Sequence, residues 1–159
     1  MAGNEQQERT QIAEAAERIS ELVLETVEAT LAERSAEPAR RYLSGLSGGQ
    51  TDDERTTELM ITLIMVRWLS VVRDQVGTGE LVEPVLAWIG EELGPRYAAR
   101  ARYTSAPLVS EDTAADIMGY REALRGDFLP SMAWQLAAAV ALYGEGAIDW
   151  LRELVGRSG

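Results

Sequence analysis

The sequence predicts an all-α fold, a single-domain bundle of about six or seven helices, and three observations predict it. From Leu59 to Val72 the chain is apolar nearly all the way round, interrupted only by Thr62, Arg67 and Ser70, as in a helix enclosed by others. Residues 5–34 divide at helical period into an apolar face and an acidic one. No segment alternates apolar and polar side chains as a half-buried strand would.

The first helix, residues 5–34, places Ile12, Ala16, Ile19, Val23, Thr26, Val27 and Thr30 on one side. Glu14, Glu17, Glu21, Glu25 and Glu28 lie opposite. Like charges four residues apart weaken an isolated helix by a few tenths of a kcal/mol each, so packing of the apolar side must hold it. Thirty residues make a rod of about 45 Å, against ~39 Å across for a compact globule of this length. The helix is therefore expected to bend, or to project and pair with a second copy. Its heptad-like spacing lasts about three repeats, which leans towards a homodimer.

Residues 37–44 follow as a short helix, with Pro38 suited to its first turn. Thr51 and Glu54 read as a capping box for a helix over 51–76, and Asp52 and Asp53 add charge that the helix dipole favours. This helix is expected to be the buried centre of the bundle. Residues 80–93 carry Leu81, Val82, Val85, Leu86, Trp88, Ile89 and Leu93 at helical spacing, with Pro84 in the first turn and Gly94-Pro95 as the stop. Residues 96–103 continue as a short helix, and 104–110 form a loop. A helix capped by Ser110, with Glu111, Asp112 and Asp116 near its start, runs to about Arg125. Asp127 caps the next, which holds Pro130, Trp134 and the alanines at 137–139. Ile148, Trp150, Leu151, Leu154 and Val155 define a last amphipathic helix. No period of 30 to 45 residues marks a solenoid.

Composition narrows the chemistry. The 159 residues carry 26 acidic groups against 15 arginines, a net charge of −11, with no Lys, His or Cys. Residues 1–79 hold 14 acids and 8 Arg, residues 80–159 hold 12 and 7, so neither half is a basic arm or an acidic tail. Thiolate nucleophiles, Ser-His-Asp triads, zinc fingers, Schiff bases and P-loop lysines are all excluded. A field of this sign repels nucleic acid and anionic membranes and favours basic partners. The opening MAGNEQQERTQ is polar and acidic, unlike a signal or transit peptide, and cytoplasmic residence is expected. The apolar runs 59–72 and 128–143 are shorter than the ~20 residues that span a bilayer.

Four features could carry function. Leu46-Ser47-Gly48-Gly49-Gln50 resembles the signature motif of ABC-transporter ATPase domains, and like it precedes a helix. In that family the motif's serine and glycine amides touch a nucleotide phosphate. The family's other motifs are missing, and the resemblance spans five residues, so no ATPase activity follows. Acidic clusters occur at Asp52-Asp53, at Glu91-Glu92 and at Glu111, Asp112 and Asp116; Glu14-x-x-Glu17 matches half of ExxE…ExxD, but the chain has no Glu-x-x-Asp and no DDxxD, and no metal or cofactor is expected. Arg67, in the middle of an apolar run, needs a partner or a route to solvent, and with Trp68, Trp88, Trp134 and Trp150 could anchor a ligand in a helical pocket. Arg96, Tyr97, Arg100, Arg102 and Tyr103 form a basic aromatic patch, with Arg40, Arg41 and Tyr42 a smaller echo.

The resulting expectation is a non-enzymatic cytosolic interaction module, an adaptor, regulator or chaperone-like protein. Its acidic stripe, Glu14, Glu17, Glu21, Glu25 and Glu28, would meet a protein partner with a basic surface, without direct nucleic-acid or membrane contact. The alternatives are a small-molecule binder or enzyme built on Arg67 and the tryptophans, and an acidic mimic of nucleic acid.

Overall fold

The computed structural model describes residues 2–76, 80–109 and 114–144, and each predicted helix that falls on them contains helix, one of them in two pieces. The fold is all-α, a helical bundle. Six helices have seven residues or more: α1 (Ala2–Glu33), α2 (Glu37–Leu43), α3 (Asp52–Val76), α4 (Val82–Glu92), α5 (Pro95–Ala101) and α8 (Phe128–Tyr143). Two shorter ones, α6 (Ala114–Met118) and α7 (Arg121–Leu124), lie between α5 and α8. Ser110, Glu111, Asp112 and the expected last helix with Trp150 fall outside the described residues.

The enclosed helix is α8, not α3. Every residue from Phe128 to Val140 is buried, and α1, α2, α3, α4 and α5 all pack against this one helix. The residues explain it. No charge occurs between 128 and 143, and Ala133, Ala137, Ala138 and Ala139 let neighbours approach from several sides at once. Helix α3 buries one face only, through Glu58, Ile61, Thr62, Met65, Trp68, Leu69 and Val72. Leu59 and Leu63 on its other side are 41% and 48% exposed. Apolar residues on the outer face made α3 look buried all round.

Local chemistry sets the helix ends. The Oγ1 of Thr51 accepts the Glu54 N–H at 3.1 Å, and the Glu54 carboxylate reaches back to the Gln50 N–H at 3.3 Å, a capping box whose return bond falls one residue early. Gly94, at φ +135, stops α4, and Pro95 opens α5. The helix expected up to Arg125 is broken: α6 stops before Gly119, α7 follows, and Arg125 itself adopts φ +50. At the start of α8, Asp127 holds the N-cap position but caps nothing. Its carboxylate pairs with Arg40 of α2 at 3.1 Å and Arg100 of α5 at 2.7 Å. Ser47, remote in sequence, takes over and accepts the Leu129 N–H at 3.2 Å.

The core contains one polar knot. Gln135 of α8 is fully buried, and its Nε2 donates to Thr104 Oγ1 at 2.7 Å and to the Ala101 carbonyl at 3.1 Å. Ser131 and Thr104 share a further bond at 2.8 Å, so α8 is tied to the end of α5 by polar as well as apolar contact.

On the surface, Arg102 clasps Glu83 of α4 with bonds of 2.9 and 3.4 Å. Hydrogen bonding to that guanidinium, then its charge, holds the Glu83 carboxyl below the usual carboxylate range. A lowered native value stabilises the fold above the unfolded-state value, and this contribution disappears as pH falls through the lowered one. In an NMR titration Glu83 should therefore be among the last glutamates to protonate on acidification, and Arg102→Ala should return it to the ordinary range. A titration curve unmoved by that substitution counts against the clasp.

Candidate functional site

The acidic helix divides into two parts. From Ile19 onward α1 is anchored: Ile19, Val23, Thr26, Val27 and Thr30 are buried, and Thr26 and Thr30 return their hydroxyls to the carbonyls of Leu22 and Thr26. Residues 4–14, by contrast, are exposed without exception, and Ile12, expected on the packed face, is 62% exposed. The helix continues as a rod beyond the body of the bundle. Of the predicted stripe, Glu14, Glu21 and Glu25 are exposed, while Glu17 and Glu28 are half-buried. Between Ala2 and Glu33 there are eight Glu and two Arg, which makes the rod a concentrated negative surface.

The aromatic pocket is not assembled as expected. Trp134 is completely buried, donates its Nε1 hydrogen to the Ala36 carbonyl at 3.2 Å, and meets Tyr97 edge-on with ring centroids 5.0 Å apart. Trp68 and Trp88 belong to the same core, and the Arg34 guanidinium covers the Trp88 ring at 5.7 Å. These three side chains fill space rather than bound it. Arg67 is exposed, on the outer side of α3, so it is not an anchor facing inward among them. Trp150 lies outside the described residues. In the basic patch, Arg100 is spent on Asp127 and the Leu124 carbonyl, Arg102 on Glu83, and Arg96 stacks on Tyr97.

A cleft of 640 Å³ opens beside the glycine loop, lined by Ser47–Gln50 on one side and Arg121, Glu122, Arg125 and Gly126 on the other, with Arg55 from the first turns of α3. Behind it sits Glu58, fully buried, whose Oε2 accepts the Gly48 N–H at 2.6 Å while Oε1 pairs with Arg121. Gly48 sits at φ +72, and a Cβ on Gly49 would lie 2.6 Å from that of Glu54, so both glycines are required by the backbone path. The Gly48 amide that would face a phosphate in the ATPase motif is bound here by the protein's own Glu58, and that of Gln50 by Glu54. The loop is thus folded around an internal carboxylate.

No family model, no curated protein and no solved structure matches this chain.

Sequence reasoning missed Glu58 and the arginines of the cleft. For Glu58 a signal existed: it shares the helical stripe of Ile61, Thr62 and Met65, three, four and seven residues on. Arg121 and Arg125 reach the loop only through the path of α6 to α8, which no local pattern encodes. No cluster of three or more His, Cys, Asp or Glu that could hold a metal occurs among the described residues. None of the helices described is long and apolar enough to cross a membrane.

Proposed function

We propose that the protein is a non-enzymatic helical interaction module that presents the acidic projecting part of α1 to a basic surface on another protein, in the cytoplasm. The observation that carries this reading is the exposure of every residue from 4 to 14 within a continuous helix. The segment is carried by propagation from the anchored half of α1 and makes no buried contact of its own with the bundle. A partner would supply such contact. Its charge follows from that of the rod. Glu5, Glu8 and Glu14 against Arg9 in residues 4–14, continued by the exposed Glu21 and Glu25, attract a cationic face, steer encounter at low salt and oppose the close approach of nucleic acid, anionic lipid or an identical helix. Self-pairing therefore ranks second to a basic partner, and mimicry of nucleic acid draws on the acidity alone.

The test compares three baits for protein capture from a cell extract: the full chain, a chain lacking residues 2–14, and Glu14→Lys with Glu21→Lys and Glu25→Lys. A basic protein retained by the first and lost from the other two is expected, with an association rate that falls about tenfold or more on charge reversal at low salt. Identical captures by all three baits sink the proposal. Light scattering on the full chain reads self-pairing directly.

A further inference from the structure

We propose that the cleft between the Ser47–Gln50 loop and the turn following α7 is a binding site for a phosphate group, held by the guanidiniums of Arg55, Arg121 and Arg125. Arg40, Arg41, Arg100 and Arg102 are all committed to carboxylates. Arg55 and Arg125 are exposed, and among the described residues neither guanidinium makes an ion pair or hydrogen bond. Arg9, Arg18 and Arg67 are also exposed without an ion pair among the described residues, but none of them lines this cleft; what sets Arg55 and Arg125 apart is that they share it. The two come from elements far apart in sequence.

Arg121 completes the set. Glu58 holds one terminal nitrogen of its guanidinium, and the side chain is part-exposed where it lines the cleft, so the fork is oriented by the protein before a ligand arrives. The positive φ of Arg125, a conformation only Arg34 shares among the non-glycine residues described, turns the chain back so that its side chain lines the cleft opposite the glycine loop. Planar forks that line one cleft from three elements suit the tetrahedral oxygens of a phosphate, each able to donate one or two charge-assisted bonds. The loop amide of Gly48 takes no part, since Glu58 already holds it.

The lining sets the kind of ligand. Three arginines stand against one glutamate in the lining, Glu122, while Glu58 behind Arg121 and Glu54 on the Gln50 N–H offset further charge. A single phosphate fits that balance better than a polyphosphate does, and the volume of 640 Å³ leaves room for a small organic part. Free phosphate and a phosphate monoester share this chemistry.

Calorimetric titration of the full chain at constant ionic strength, with inorganic phosphate and with ribose 5-phosphate, decides the matter. Saturable binding is expected for at least one probe. It should weaken at least about tenfold in Arg55→Gln/Arg125→Gln, a variant that keeps the wild-type melting temperature because both side chains are exposed. Ribose 5-phosphate binding tighter than phosphate assigns the site to phosphorylated small molecules, and the reverse order or equality to the free ion. Absence of saturable binding by both probes, or binding that survives the double substitution, overturns the proposal.

Discussion

Trp134→Ala should destabilise the protein by about 3 to 5 kcal/mol, the range for deleting a fully buried large aromatic. Three losses coincide at this side chain: its packed volume at the middle of α8, the edge-to-face contact with Tyr97 of α5, and the hydrogen bond to the Ala36 carbonyl ahead of α2. Against a total stability of ~5 to 15 kcal/mol for an ordinary domain, this brings the fold near its limit. Urea denaturation followed by circular dichroism measures it. A loss below about 1 kcal/mol would mean that the bundle closes over the vacancy, contrary to the close packing around α8 described above. Trp134→Phe should recover most of the volume and leave the Ala36 carbonyl without its donor.

Glu58→Ala should be of similar size, about 3 kcal/mol, by a different route. It strips the Gly48 N–H of its acceptor and leaves Arg121 without its counter-charge. Arg121 is 26% exposed, so water relieves part of that loss, which is why the lower end of the range for broken buried pairs applies. Arg121→Ala alone should cost more than a surface arginine does, and the double variant should cost clearly less than the two single losses added. Additive losses in the denaturation cycle would show that the two side chains do not act as a pair.

How far the sequence revealed this architecture depended on the range of the interaction. Features settled within one turn were legible: Thr51 and Glu54 at the start of α3, Pro38 in α2, Gly94 and Pro95 between α4 and α5. Features settled between elements were not. Asp127 has the sequence signature of a cap, yet two arginines, 27 and 87 residues away, claim its carboxylate and Ser47 does the capping. Choosing the centre of the bundle went wrong because two apolar runs competed. The discriminating detail was Arg67, a charge that α3 can tolerate only with an open side and that α8 lacks altogether. Of the acidic stripe, the sequence correctly placed the glutamates on one face but not the point near Ile19 where packing begins.

The position of α8 in the chain has a consequence for biosynthesis. The helix around which α1 to α5 are wrapped comes after all of them, and its ties run backwards across 82 residues from Leu129 to Ser47 and 98 from Trp134 to Ala36. While the ribosome is still translating α1 to α5, the faces of Val23, Met65, Leu69 and Ile89 have no centre to close on. Vectorial folding, first part first, is therefore closed to this bundle. The early helices must wait as a loose apolar assembly until residues 128–140 leave the exit tunnel, the stage at which a nascent chain depends most on holding chaperones.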